Sequence, residues 1–278
     1  MRTPFEKAGY GIIPSFLDAG GLRVFADDVA QALRAPAHAG MSRPGNDLAP
    51  LRWDAPTVAH ILGSAPHLAK LAALTGARDL KWISGYVTTK APRSPALWWH
   101  QDWWCWDHPI SFRPAAAQIA VLCYLDDTDA RNGALRVLPG SHRESAAIHR
   151  DLPEPHGALA DALPHDHVAM SDLPGQATLA VRAGDAVVLD YRLLHGTHPN
   201  RTAVRRDAVL LSFVPSWREL PEDIKAHLTA HPALPGTEEE ARRADAGYAA
   251  LLPRFAGAPR SLPVNRVAPA EFLVHDST

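Results

Sequence analysis

Three features of the sequence predict a mainly β fold, a sandwich or barrel with flanking helices. Between Leu80 and Trp217 the chain is a series of short runs rich in β-branched and aromatic residues, each broken by turn residues. On either side of that stretch the apolar residues return at helical spacing. The 278 residues carry no internal repeat and no low-complexity tract, so a single domain of helices around a β core is expected.

Taken in order, residues 10–16 (YGIIPSF) read as a short strand and turn. Asp18 to Arg34 then places Leu22, Phe25, Val29 and Leu33 on one helical face. Residues 36–54 hold Pro36, Gly40, Pro44, Gly45 and Pro50, and are expected to form a loop that is mobile or shaped by a ligand. Pro56 to Leu74 is expected to be helical and to stop at Gly76. The strand candidates follow: KWISGYVTTK, ALWWHQDWW, AQIAVLCYL, ALRVLPGS, TLAVRAGDAVVLDYRLLHG and DAVLLSFVPSW. Residues 141–175, rich in His, Pro and Asp, interrupt them; in a compact domain such an insertion is more often a lid or binding loop than an inert connector. Pro221 to Leu228 and Thr237 to Leu251 are helical again, the second opening on an acidic turn. The tail from Pro253 shows no clear element. The expected division is an N-terminal helical part (1–78), a β core (79–218) with the insertion 141–175, and a C-terminal helical extension (219–278).

Charge and cysteine usage narrow the function classes. Lys plus Arg (28) nearly cancel Asp plus Glu (30), and a net charge of -2 gives no reason to expect nucleic acid or an anionic membrane as partner. No uncharged run approaches the roughly 20 residues of a bilayer span, and no signal-peptide pattern opens the chain. Two cysteines, Cys105 and Cys123, are too few for a secreted disulfide framework. A cytoplasmic protein acting on a small-molecule substrate is expected; nothing in the sequence bears on oligomeric state.

The chemistry concentrates in Trp98-Trp99-His100-Gln101-Asp102-Trp103-Trp104. On a strand, residues two apart point the same way, so His100 and Asp102 converge while Gln101 faces away. An imidazole and a carboxylate on one face are two thirds of the two-histidine, one-carboxylate triad of non-haem iron(II) sites, which leaves three coordination positions open. His-x-Asp alone is weak evidence, because it occurs by chance in many chains. Its context lies downstream: a Gly184-Asp185 turn, an apolar strand, His195 at the strand's end, and Arg205 and Arg206 at the start of the next strand. A barrel brings distant residues to one mouth in this way. On the residues alone His198 rivals His195, although Pro199 suggests that His198 has left the strand.

Through His100-Gln101-Asp102, Phe112-Arg113-Pro114, Asn132-Gly133-Ala134-Leu135 leading to Leu138-Pro139-Gly140-Ser141-His142, and His195-Gly196-Thr197 with Asn200, Thr202 and Arg206, the sequence resembles the phytanoyl-CoA dioxygenase family of iron(II)/2-oxoglutarate oxygenases. Gly9-Tyr10-Gly11-Ile12-Ile13 and Phe16-Leu17-Asp18 resemble the family's start, so the likeness runs from residue 9 to about 216. The resemblance implies a double-stranded β-helix, the cupin-like jelly roll, with Fe(II) held by His100, Asp102 and His195. It also implies 2-oxoglutarate and O2 as co-substrates, with ascorbate as an addition in vitro. By the family's spacing Arg206, eleven residues after the distal histidine, grips the far carboxylate of 2-oxoglutarate. A guanidinium offers the planar fork that a carboxylate matches, and strand alternation turns Arg205 the other way. Thr197 is positioned to assist as a hydroxyl donor. If the strand stays regular, Trp98 and Trp104 share the metal face, which makes them candidate substrate contacts.

The implied reaction hydroxylates an unactivated C–H bond of a small organic molecule, such as a natural-product intermediate, amino acid derivative or acyl compound, and releases succinate and CO2. Halogenases of this type carry a small residue in place of the carboxylate, so Asp102 favours hydroxylation; desaturation, epoxidation and ring formation stay open. Two other classes fit many of the same residues. One is a cupin-like metalloenzyme, an isomerase or a dioxygenase that needs neither 2-oxoglutarate nor Arg206. The other is a jelly-roll binding protein without turnover. Elsewhere the expected roles are structural: His142 stabilises a turn, Asn132 and Gly133 make a tight turn, Cys105 and Cys123 are buried thiols, and Lys90 and Arg93 are solvated.

Overall fold

The computed structural model describes residues 2–34, 43, 45–164 and 166–275. The chain opens with α1 (Pro4–Ala8), β1 (Tyr10–Ile13), α2 (Ala19–Ala32), β2 (Asn46–Leu51), α3 (Pro56–Leu62), α4 (Ala65–Thr75) and β3 (Lys81–Lys90). The middle holds β4 (Leu97–His100), β5 (Ile119–Tyr124), β6 (Leu135–Val137), α5 (Ala158–Asp161), β7 (Ala177–Leu179), β8 (Ala186–Asp190), β9 (His195–Thr197) and β10 (Arg206–Val214). It closes with α6 (Glu222–Leu228) and α7 (Glu238–Tyr248). Local chemistry sets several of these ends. Asp18 caps α2 by accepting from the Gly21 amide at 2.7 Å, and Thr3 and Glu6 form a reciprocal capping box on α1.

Two expectations are corrected. Of the expected loop 36–54, residues 36–42 and 44 lie outside the described residues, while Asn46–Leu51 is a strand paired with β3. It lies at the sheet edge, where Pro50 is tolerated because its missing amide breaks no internal ladder. The helix expected over Pro56 to Leu74 is two helices, because Pro66 has no amide to donate to the Leu62 carbonyl and the chain breaks at Gly63-Ser64.

The strands form two antiparallel sheets, one of six in the order β1-β8-β5-β10-β3-β2 and one of four in the order β4-β9-β6-β7. Both faces of the larger sheet are buried. Along β5, Ile119, Val121 and Cys123 pack with Phe25, Val58 and Ile61 of the helices, while Ala120, Leu122 and Tyr124 meet Leu135, Val137 and Leu179 of the smaller sheet. This explains the unbroken apolar run IAVLCY, since a strand covered on both sides has no reason to alternate. In β10, Val209, Leu211 and Phe213 face the helices and Ala208 faces inward. Arg206, two residues before Ala208, falls on the inward side, with Lys90 as its partner on β3.

A separate cluster joins Trp103, Trp104 and Trp106 to Leu220, Ile224 and Leu228 of the C-terminal extension. Among the described residues the tail beyond Pro253 forms neither helix nor ladder but runs beside these tryptophans. The Trp106 amide donates to the Asn265 carbonyl at 3.1 Å, and the Asn265 amide to the Trp104 carbonyl at 2.9 Å. Cys105 and Cys123 are buried and unpaired. No described helix is long and apolar enough to cross a membrane.

Gly196 lies where β9 meets β4. A Cβ there would stand 2.7 Å from the Leu97 carbonyl oxygen and 2.9 Å from that of Trp98, backbone atoms that cannot swing aside. Gly196→Ala is therefore expected to destabilise the fold by about 1 to 3 kcal/mol, read as a lower urea midpoint. An unchanged midpoint would show that the two strands separate without cost.

Candidate active site

The pairing of β4 with β9 sets His100 directly across from His195, with ring centroids 4.2 Å apart. β4 ends at His100, and Asp102 is reached beyond it after Gln101 turns away to donate to the Arg192 carbonyl. That bond ties the two histidine-bearing segments together. Arg192 is itself locked in a buried pair with Asp190 at 2.6 Å. Asp102 Oδ1 lies 3.7 Å from His100 Nε2, and Oδ2 lies 3.5 Å from His195 Nε2. A third imidazole arrives from the 141–175 insertion: His156, at φ 66°, brings Nε2 to 3.1 Å from Asp102 Oδ1.

Hydrogen bonds sort the three rings. His100 Nδ1 is 2.9 Å from the Trp98 carbonyl and His195 Nδ1 is 3.0 Å from the Leu193 carbonyl. A carbonyl only accepts, so each ring carries a proton on Nδ1 and turns its Nε2 toward Asp102. His156 is the reverse. Its Nδ1 lies 2.7 Å from Arg43 Nη2, a group that only donates, so Nε2 bears the proton and donates to Asp102. His100, Asp102 and His195 could therefore hold a divalent first-row metal as two neutral nitrogens and a carboxylate, with His156 steadying the carboxylate. Burial, and then His195 beside it, keep His100 well below the usual histidine range and hence neutral. For Asp102 burial pushes upward, but the His156 hydrogen bond and the surrounding imidazoles prevail and hold the carboxyl well below its usual range.

Two cavities meet at this cluster, of about 100 Å³ and about 470 Å³, sharing Leu48, Asp102, His156 and Leu210 in their walls. Trp98 and Thr197 line the smaller, Trp104 the larger. The expectation that both tryptophans share one regular strand face is thus corrected, because the strand ends at His100 and its period of two ends with it. Thr197 Oγ1 accepts from the Leu97 amide at 3.2 Å, which leaves the hydroxyl proton to donate.

The smaller cavity reaches Arg206, which is 2% exposed, with its guanidinium carbon 5.2 Å from the centre of the Tyr124 ring. Among the described residues no carboxylate pairs with it, and Arg206 Nε, Tyr124 Oη, Asn46 Oδ1 and Trp98 Nε1 are all buried without a hydrogen-bond partner. A buried guanidinium costs several kcal/mol unless an anion meets it, so this cavity could take an acidic ligand. Arg205 is exposed and pairs with Asp207 at 3.0 Å, as alternation requires.

Other expected residues stand apart from the cluster. His198 Nε2 meets Thr178 Oγ1 at 2.8 Å. His142 Nε2 meets the Glu6 carbonyl at 3.1 Å, tying the Pro-Gly-Ser-His turn to α1. Gly133, at φ 87°, takes the left-handed position of its turn. Arg93 is exposed, but Lys90 is a correction. It is fully buried and donates to the Pro95 carbonyl at 2.5 Å, because it shares the inward parity of Ser84, Tyr86 and Thr88 on β3. That parity was a usable signal for Tyr86 and Thr88 as cavity residues. No periodicity announces His156, Arg43 or Arg266, which lie in irregular segments.

Two antiparallel sheets enclosing a two-histidine, one-carboxylate cluster beside a buried arginine define a double-stranded β-helix with a candidate mononuclear metal centre. The chain belongs to the phytanoyl-CoA dioxygenase family, whose model matches residues 5–208. It is 28% identical over 136 residues to a probable alpha-ketoglutarate-dependent hypophosphite dioxygenase of Stutzerimonas stutzeri, covering 49% of this chain and 45% of that protein. It is 31% identical over 142 residues to an L-proline trans-4-hydroxylase of Streptomyces griseoviridis, covering 46% and 52%. The chain spans about half the length of these curated relatives. HygX from Streptomyces hygroscopicus, crystallised with nickel and 2-oxoglutarate, shares the fold with a TM-score of 0.59 at 20% identity, over 76% of this chain and 84% of that one.

Burial, then Arg206 and Arg136 nearby, push the Lys90 ammonium down to about 7. The unfolded chain keeps that proton to about pH 10, so it binds more protons than the native state and stability rises with pH between about 7 and 9, by up to roughly 1.4 kcal/mol per unit. Urea midpoints measured across that window should climb in the natural chain and flatten in Lys90→Met; parallel slopes would sink the assignment.

Proposed function

We propose that this chain is an iron(II)- and 2-oxoglutarate-dependent oxygenase that hydroxylates a C–H bond of a small organic molecule. The observation that carries the reading is the buried Arg206 guanidinium, which among the described residues has no carboxylate partner, at the end of a cavity that begins at His100, Asp102 and His195. A metal site alone needs no such cation; a metal site that binds a dicarboxylate does. Family membership and the nickel- and 2-oxoglutarate-bound HygX fold support the same reading.

In this reading His100, Asp102 and His195 are the iron ligands, Arg206 takes the far carboxylate of 2-oxoglutarate in a two-pronged hydrogen bond, and Thr197 donates a further one. Bound iron supplies the oxidative chemistry: substrate R–H, 2-oxoglutarate and O2 become R–OH, succinate and CO2. The chain's own part is positional. The Trp98 and Leu193 carbonyls fix the two ligand tautomers, His156 holds Asp102 in place, and Tyr124 and Trp98 wall the co-substrate cavity against water. Trp104 lines the neighbouring chamber and contacts the substrate. We further read residues 1–278 as one catalytic domain, supported by the packing of α6 on Trp103 and Trp104. A cytoplasmic location is supported by two buried, unpaired thiols.

Anaerobic titration with Fe(II) and 2-oxoglutarate should develop the weak visible charge-transfer band of a chelated 2-oxo acid. Arg206→Gln should weaken 2-oxoglutarate binding by about 10- to 100-fold, equivalent to roughly 1.4 to 2.7 kcal/mol, with Fe(II) affinity unchanged. Asp102→Ala should abolish substrate-coupled succinate formation. Retention of full coupled turnover by Asp102→Ala, or unaltered 2-oxoglutarate affinity in Arg206→Gln, would overturn the assignment.

A further inference from the structure

The 470 Å³ chamber on which Trp104 opens is within the size range of small-molecule sites, and its wall has a definite chemistry. The Trp104 and His227 rings are stacked at 4.0 Å and 18°, and Tyr86 and Tyr191 line the same space. Several polar groups at this wall are already satisfied. Trp104 Nε1 donates to Gln118 Oε1 at 2.9 Å, and Gln118 Nε2 donates to Ser212 Oγ at 2.7 Å. Among the described residues Asp102 is the only acidic one lining the chamber, and its carboxylate is directed at the imidazoles.

Two guanidiniums line the chamber: Arg43, which donates to His156 Nδ1 at 2.7 Å, and Arg266. The tail is held against the tryptophan segment by the paired Trp104, Trp106 and Asn265 backbone groups, and Asn265 Nδ2 adds a hydrogen bond to Asp107 Oδ1 at 2.7 Å. This anchoring delivers the next residue to the chamber, where Arg266 Nη1 donates to the Asp102 main-chain carbonyl at 3.1 Å. Among the described residues no carboxylate lies within ion-pair distance of it. His227 and His231 add no charge at neutral pH. Burial, then Arg266 beside it, keep His227 below the usual histidine range, and burial pushes His231 down to about 4. His227 and Arg266 both lie beyond residue 208, where the family match ends, whereas Trp104, Tyr86 and Tyr191 lie within it.

We propose that the substrate is a small carboxylate-bearing molecule with a flat, ring-containing body, its carboxylate bound by Arg266 and its ring lying against Trp104, Tyr86 and Tyr191. The guanidinium keeps donors beyond the one spent on the Asp102 carbonyl and matches a carboxylate fork. Because it is anchored to the main chain of a proposed iron ligand, it presents a bound acid at a set position relative to the metal. The inference deepens the oxygenase reading and rests on it for the chemistry, though not for the binding.

The test uses the full chain with saturating 2-oxoglutarate, so that Arg206 is occupied, and matched probes: benzoate, phenylacetate, 3-phenylpropionate and indole-3-acetate, each beside its primary amide. Binding is read by tryptophan fluorescence. At least one acid should bind about ten-fold or more tightly than its amide. Arg266→Gln should weaken that acid to the level of the amide, and Arg266→Lys, which keeps a donor for the Asp102 carbonyl, should fall between; 2-oxoglutarate affinity should not move in either. Equal binding of acids and amides, absence of any acid-selective binder, or an acid affinity unchanged in Arg266→Gln each overturns the proposal. Repeating the titration on metal-free protein separates the two readings. Acid selectivity without an iron–2-oxoglutarate band defeats the oxygenase assignment alone, and the band without acid selectivity defeats this one alone.

Discussion

Three residues of β9 paired with the end of β4 carry the rest of the site. The ladder places His100 opposite His195, and it can close only because Gly196 lets the Leu97 and Trp98 carbonyls come within contact of the β9 backbone. The adjoining carbonyls of Trp98 and Leu193 then hold the Nδ1 protons of the two rings. Backbone pairing thus sets the separation of the proposed ligand nitrogens and also their tautomers. Asp102 enters from just past the strand's end, where it is free of the ladder's period and can meet both rings at once.

Around this ladder the protein keeps costly charges out of water. Arg192 has Asp190 as a buried partner, and Arg136 is held by the Ser171, Met170 and Leu97 carbonyls. Arg206 and Lys90 are different: they are paired neighbours on adjacent strands, both buried, and neither has a carboxylate among the described residues. Stability alone gives no reason to place two basic groups side by side in a dry interior. A dianionic co-substrate gives one, and the unpartnered buried atoms of Arg206, Tyr124 and Asn46 mark where it would sit.

Much of this was legible in the sequence because it follows from periodicity. Apolar runs such as IAVLCY and VVLDY identify strands covered on both sides, and the parity that turns Ala208 inward turns Arg206 inward and Arg205 outward. The same parity applied to KWISGYVTTK places Lys90 in the interior, where charge alone had suggested solvent. Pro66 was a visible break in the helix expected over 56–74. Past the strand ends the signal stops. Trp98 and Trp104 are six residues apart and still line different cavities, since the chain leaves the sheet between them.

By itself the sequence determined the class of fold, the order of its elements, and the residues that a family pattern names: His100, Asp102, His195, Thr197 and Arg206. These are encoded locally, as strand alternation, turn residues and fixed spacing along the chain. Only the tertiary structure decided which imidazole nitrogens are available, that His156 reaches Asp102 while Arg43 reaches His156, and that a tail without regular structure brings Arg266 to the larger chamber. Those contacts join residues 54, 113 and 164 positions apart. No local preference specifies such meetings, which arise when burial of the tryptophan segment and main-chain hydrogen bonding draw the insertion and the tail onto the barrel mouth.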